Sequence, residues 1–168
     1  SGLLPDGALQ LVSGSLGPML NHLGSQDIVS FTGSAETGLM LRSAPEILQN
    51  STRFIAEQDS LNASLLGPDI LPRTVEFDLF AKEVFREMTT KAGQKCTAIR
   101  RILVPEAQLE PIIETLKKSL SQVVIGDPRD KDTQMGALVS EAQKRGVLEK
   151  AKLIGQDAEC VTGDPEKF

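Results

Sequence analysis

Tryptophan and tyrosine are absent from the 168-residue chain, histidine occurs once, and aromatic residues make up 4% of it. So few rings cannot build a stacking platform for single-stranded nucleic acid. The net charge of -5 points the same way, because a nucleic-acid surface needs clustered Lys and Arg. Basic pairs such as Arg100-Arg101 and Lys117-Lys118 are spaced by apolar residues and read as solvated faces. The lone His22 has no partner at ligand or triad spacing, so Ser34 and Ser60 lack the base of a Ser-His triad. Two cysteines, Cys96 and Cys160, form neither a CxxC nor a zinc spacing, and no metal site is expected. No apolar run approaches the roughly 20 residues of a membrane span.

The first residues, SGLLPDGALQ, carry no basic region followed by an apolar stretch, so no signal peptide is expected there. Reduced thiols and a cytoplasmic setting follow as the default. The chain has no initiator Met and stops at GDPEKF without a cap, so both ends read as cut and an interior piece of a longer protein is expected. What is present is ordinary for a globular domain: 40% hydrophobic and 24% charged residues.

Periodicity predicts α/β layers with mainly parallel sheet, because short apolar strands alternate with helical patterns. Strands are expected at Leu9–Val12, Ile28–Phe31, Arg53–Ala56, Ile99–Val104 and Glu159–Val161. A short helix is expected from Pro18 to Leu23, and another from Ala35 to about Leu48 with Leu39, Leu41 and Ile47 on its buried side. Pro68 and Pro72 mark Asp59 to Thr74 as loop. Phe77, Phe80, Ala81, Val84, Phe85 and Met88 trace one face of an amphipathic helix, ending at a left-handed cap near Gly93. Leu109 to Leu120 forms the next helix, with Pro111 near its start. Ser140 and Gln143 suggest a capping box opening a helix to about Ile154. Asp127 and Asp164 fit turns beside Pro128 and Gly163.

Three runs could carry chemistry. In Phe31-Thr32-Gly33-Ser34-Ala35-Glu36-Thr37-Gly38 a strand ends in small residues and a helix begins, offering free backbone N–H groups and a positive dipole end. Glu57 closes a predicted strand, where open α/β sheets bind ligands and a carboxylate can act as a base. Cys96, in Gly93-Gln94-Lys95-Cys96-Thr97-Ala98, sits in a helix-to-strand loop beside Lys95, whose charge would favour a thiolate if it points there. Taken singly, each has a plain structural reading: a ligand-free turn, a solvated carboxylate, a buried inert thiol. Cys160, alternating with apolar neighbours, fits the last of these.

Together, in order and spacing, the runs resemble the aldehyde dehydrogenase superfamily along essentially the whole chain. FTGSAETG is similar to that family's cofactor turn and GQKCTAIRRILV to its catalytic-cysteine motif; Asp132 to Gln143, DTQMGALVSEAQ, resembles the segment downstream. Most members follow the catalytic Glu with Leu-Gly-Gly-Lys, whereas here Glu57 is followed by Gln58-Asp59-Ser60-Leu61-Asn62. That form resembles the branch of bifunctional phenylacetate ring-opening proteins and puts the local backbone geometry in question.

The resemblance implies that residues 1–60 end a Rossmann-like NAD(P)-binding domain and that 61–168 begin the α/β catalytic domain. It implies Cys96 as the nucleophile, which forms a thiohemiacetal and then a thioester. The oxyanion would be held by the Cys96 N–H and by an Asn from another segment, and Glu57 would activate the hydrolytic water. Thr32, Gly33, Ser34 and Thr37 would contact the cofactor, NADP or NAD. The substrate would be a small aldehyde, in that branch a CoA-linked semialdehyde, and the whole enzyme a homo-oligomer. The isolated piece is expected to be inactive. A CoA-acylating relative and a non-catalytic structural or oligomerisation piece are the other readings.

Overall fold

The computed structural model describes residues 2–163, which divide between Asp59 and Ser60 into two compact units. In the first, a 3₁₀ turn at Met19–His22 leads to β1 (Ile28–Gly33), α1 (Ala35–Arg42), α2 (Pro45–Gln49) and β2 (Arg53–Gln58). β1 and β2 pair in parallel, with Ile28 opposite Arg53 and Thr32 opposite Glu57. Parallel neighbours need a crossover, which α1 and α2 supply. The one helix expected from Ala35 to Leu48 is two, because Pro45 has no N–H to continue the ladder and forces Ala44 to an extended ψ of 135°. Ile47 is buried as expected, but Leu39 is exposed. Asn50 and Thr52 fix the crossover's end by donating to the carbonyls of Leu23 (2.8 Å) and Gly24 (3.1 Å).

Leu9–Val12 does not form the expected strand; its apolar side chains lie exposed, and no strand among the described residues pairs with it.

The second unit contains β3 (Asn62–Leu65), α3 (Val75–Thr89), β4 (Ile99–Leu103), α4 (Leu109–Leu120) and α5 (Glu141–Ile154). β3 lies inside the stretch expected to be loop, and pairs in parallel with β4. The prolines constrain only the part that follows it, Gly67–Thr74. Both pairings are parallel, so the α/β reading holds.

The amphipathic face of α3 supplies this unit's core. Phe77, Ala81 and Val84 pack with Leu66, Ile112 and Leu116, and Phe80, Phe85, Met88, Ile99 and Ile102 close around them. Val84 is fully enclosed. Val84→Ala removes two buried carbons and leaves a cavity, an expected loss of about 2 kcal/mol. Urea denaturation should show a lower midpoint at unchanged slope.

Caps set the helix starts. Ser34, Thr74 and Ser140 accept from the N–H groups of Thr37 (3.2 Å), Phe77 (3.3 Å) and Gln143 (3.1 Å). Asp127 forms the expected turn, accepting from the Arg129 N–H at 2.9 Å. Its carboxyl is held below the usual range, first by the Arg129 guanidinium and then by that N–H. Asp164 lies outside the described residues. The expected final strand, Glu159–Val161, is irregular, and Cys160 is exposed rather than buried. Its thiol donates to the Gly163 carbonyl at 3.0 Å. Among the described residues no helix is long and apolar enough to cross a membrane.

Candidate active site

In the first unit the parallel register brings two candidates side by side: Thr32 at the end of β1 and Glu57 near the end of β2. The chain leaves β1 through Gly33, where a Cβ would run into the Phe31 ring. Gly38 is buried against the Gln58 side chain, which leaves no room for a Cβ. Ser34 is the N-cap of α1, and its hydroxyl also bonds Thr37 Oγ1 at 2.9 Å. Thr32, Gly33, Ser34 and Thr37 therefore lie around one strand-to-helix turn.

Asp59 alters that turn. It stands where the Gly-Gly pair of the resembled motif would begin, and its backbone is left-handed, with φ of 45°. An Asp tolerates this region better than most side chains. Its N–H donates to the Gly33 carbonyl at 3.1 Å, and its carboxylate accepts the Ala35 N–H at the start of α1 at 3.2 Å. Asp59 thus takes a left-handed backbone that glycine would adopt freely, held by contacts with the strand-to-helix turn. In the first turn of α1, Ser34 takes the Thr37 and Gly38 N–H groups and Asp59 takes that of Ala35. Only the Glu36 N–H has no acceptor among the described residues. Small residues and hydroxyls suit a dinucleotide here, while its phosphate would compete with the Asp59 carboxylate for the helix end.

Cys96 belongs to the second unit. It is exposed, in a turn closed by the Ala98 N–H on the Lys95 carbonyl at 3.3 Å. Before it, Lys91, Ala92 and Gly93 are all left-handed, with φ of 53°, 55° and 70°. The cap anticipated at Gly93 is therefore a run of three, two of them strained by their Cβ atoms. Arg100 steadies the run by donating to the Gly93 carbonyl at 2.8 Å. Gln94 donates to the Lys91 carbonyl at 3.1 Å and accepts the Val139 N–H at 3.0 Å, which ties the loop to the downstream motif. Lys95 pairs with Glu87 at 2.8 Å, so its charge is committed to α3. The amide of Asn62, at the start of β3, donates to the Cys96 carbonyl at 2.6 Å and to that of Ala98 at 3.3 Å. Among the described residues the Cys96 N–H has no acceptor. An exposed thiol beside a free backbone donor is the arrangement an acyl-transfer nucleophile requires.

Asn62, Gln94 and Asp59 escaped the sequence reading. Asn62 carried a faint signal as a polar residue opening an apolar run, LNASLL.

Residues 2–167 match the model of the aldehyde dehydrogenase family. The chain belongs to that family. It is 43% identical, over 99% of its length, to a 3,4-dehydroadipyl-CoA semialdehyde dehydrogenase of Aromatoleum evansii, and covers 32% of that protein. It is 30% identical to a 3-succinoylsemialdehyde-pyridine dehydrogenase of a Pseudomonas species, over 90% of this chain and 32% of the relative. This aldehyde dehydrogenase chain therefore spans about a third of the length of these relatives.

Among solved structures it is similar to betaine aldehyde dehydrogenase of Staphylococcus aureus in complex with NAD+. The TM-score is 0.69 at 25% identity, over 79% of this chain and 25% of that one. It also shares the fold of aldehyde dehydrogenase C of Pseudomonas syringae, with a TM-score of 0.72 at 24% identity, over 83% of this chain and 27% of the other.

Proposed function

We propose that this chain is the cysteine-bearing section of an NAD(P)-dependent aldehyde dehydrogenase that oxidises a CoA-linked semialdehyde to the acid. The observation that carries the reading is the Cys96 turn: an exposed thiol, an N–H on the same residue with no acceptor among the described residues, and a loop tied down on both sides. The Aromatoleum relative supports the substrate class, since its name specifies a CoA semialdehyde. In this reading residues 1–60 end the NAD(P)-binding domain and 61–168 begin the catalytic domain. The parent is a homo-oligomer of the phenylacetate ring-opening branch.

Cys96 Sγ, as thiolate, adds to the aldehyde carbonyl, and the Cys96 N–H meets the oxyanion that results. NADP, or NAD in its place, supplies the hydride acceptor when bound. Thr32, Gly33, Ser34 and Thr37 would hold it at the strand-to-helix turn. Glu57 takes a proton from the water that cleaves the Cys96 thioester, returning the thiol and releasing the acid. A hydrolytic base is what a CoA-acylating enzyme can do without, so Glu57 favours water over CoA as acceptor.

The test is oxidation of a CoA-linked semialdehyde by the protein in its longest natural form, with NADP or NAD supplied and products weighed by mass spectrometry. Free acid with reduced cofactor is expected. An acyl-CoA product that requires added CoA would overturn the hydrolytic assignment. The 168-residue chain alone is expected to give no turnover.

A further inference from the structure

We propose that Asn62 is a positioning residue for the nucleophile, setting the Cys96 peptide so that its N–H can receive an oxyanion. This rests on reading Cys96 as the nucleophile.

One nitrogen, Asn62 Nδ2, donates to two carbonyls that flank Thr97, those of Cys96 at 2.6 Å and Ala98 at 3.3 Å. It does so at the irregularity in the β3–β4 pairing. Asn62 stands opposite Ile99 while Ala63 stands opposite Arg101, so Arg100 is skipped. A bulge of this kind bends the strand and re-aims side chains. Here the skipped Arg100 reaches back to the Gly93 carbonyl at 2.8 Å, and Asn62 reaches forward to the turn. The segment around Cys96 is gripped at Gly93 and Gln94 before the thiol, and at Cys96 and Ala98 after it.

Each residue has two soft backbone dihedrals. The bond to its carbonyl fixes ψ of Cys96, and the Ala98-to-Lys95 closure restrains the turn that contains it. What remains free is what acyl transfer uses, the exposed thiol and the N–H of the same residue. An oxyanion donor must lie about 2.7–3.1 Å from the developing charge, so relaxation of this peptide weakens that contact directly. With both accepting carbonyls occupying its amide, Asn62 is not itself the oxyanion donor.

Two reagents separate this role from general support of the loop. With p-nitrophenyl acetate, Cys96 Sγ attacks the ester carbonyl, the C–O bond to nitrophenolate breaks, and acetate remains as a thioester; the step passes through an oxyanion. Iodoacetamide alkylates the same sulfur with loss of iodide and forms no oxyanion. In the protein in its longest natural form, Asn62→Ala and Asn62→Asp are expected to slow the nitrophenolate burst about 10- to 100-fold. Alkylation of Cys96, followed by peptide mass, should stay within about threefold, and Asn62→Ser, which restores one donor, should recover part of the burst.

Equal loss in both reactions, or a burst indifferent to all three substitutions, overturns the proposal. A protein with no burst at Cys96 before any substitution overturns the nucleophile reading itself, and is told apart because Asn62 is then intact.

Discussion

Cys96→Ser is expected to lower aldehyde oxidation by about 10⁴-fold or more while the protein stays folded. A serine hydroxyl is a far weaker nucleophile than a thiol, and Lys95 and His22 do not make up the difference. Lys95 is paired with Glu87, and the single histidine, His22, lies in the 3₁₀ turn of the first unit. The carbonyls nearest in sequence are occupied by Asn62 and offer a hydroxyl no base. Sulfur differs because it is intrinsically the stronger nucleophile. Because Cys96 is exposed and its side chain makes no hydrogen bond among the described residues, the substitution should shift stability by no more than about 0.5 kcal/mol. Rates of reduced-nicotinamide formation, read beside a urea melt of the same sample, check both halves. Residual activity within tenfold of the unsubstituted enzyme would remove Cys96 from the chemistry.

Glu57→Gln should separate the two halves of the reaction. Loss of a general base commonly costs 10²- to 10⁴-fold in the step it serves, and here that step is hydrolysis of the thioester. Gln keeps the size and the place in β2 opposite Thr32, so the turn after β1 is expected to persist. One equivalent of reduced cofactor should appear in a burst and turnover then stall, with the acyl group still on Cys96 by intact mass. Added CoA, a thiol nucleophile that needs no water, should discharge it. Steady turnover at the original rate would exclude Glu57 as the base. Loss of the burst as well would move its role to an earlier step.

Much of the second unit could be read from the chain because α3 announces itself. Phe77, Ala81 and Val84 recur at helical spacing, and these are the residues that the fold buries. β1 was plain too, although it runs two residues past the expected end at Phe31, to Gly33. Two apolar runs misled. Leu9–Val12 and Glu159–Val161 have strand-like composition, yet a strand exists only where another presents its backbone, and sequence alone does not supply the partner. β3 failed in the opposite sense, since Asn62 and Ser64 dilute its apolar character and nearby prolines draw attention away. At the site, the motifs led to Cys96 and Glu57, while the residues that hold them in place stayed hidden. The contact from Asn62 to Cys96 spans 34 positions, and nothing local encodes it. Asp59 was visible only as a missing glycine; that its carboxylate reaches the Ala35 N–H emerged from the fold.

The parallel pairing of β1 with β2 has a kinetic side. Thr32 and Glu57 become neighbours only when the chain between them, which carries α1 and α2, closes on itself. Such closure must be completed before its contacts repay the lost chain entropy, which makes non-local parallel pairs late events in folding. The short α2, begun by Pro45, and the Asn50 and Thr52 anchors hold the far end of this crossover. Substitutions there are expected to slow the recovery of native chains after dilution from urea, read as a refolding time course.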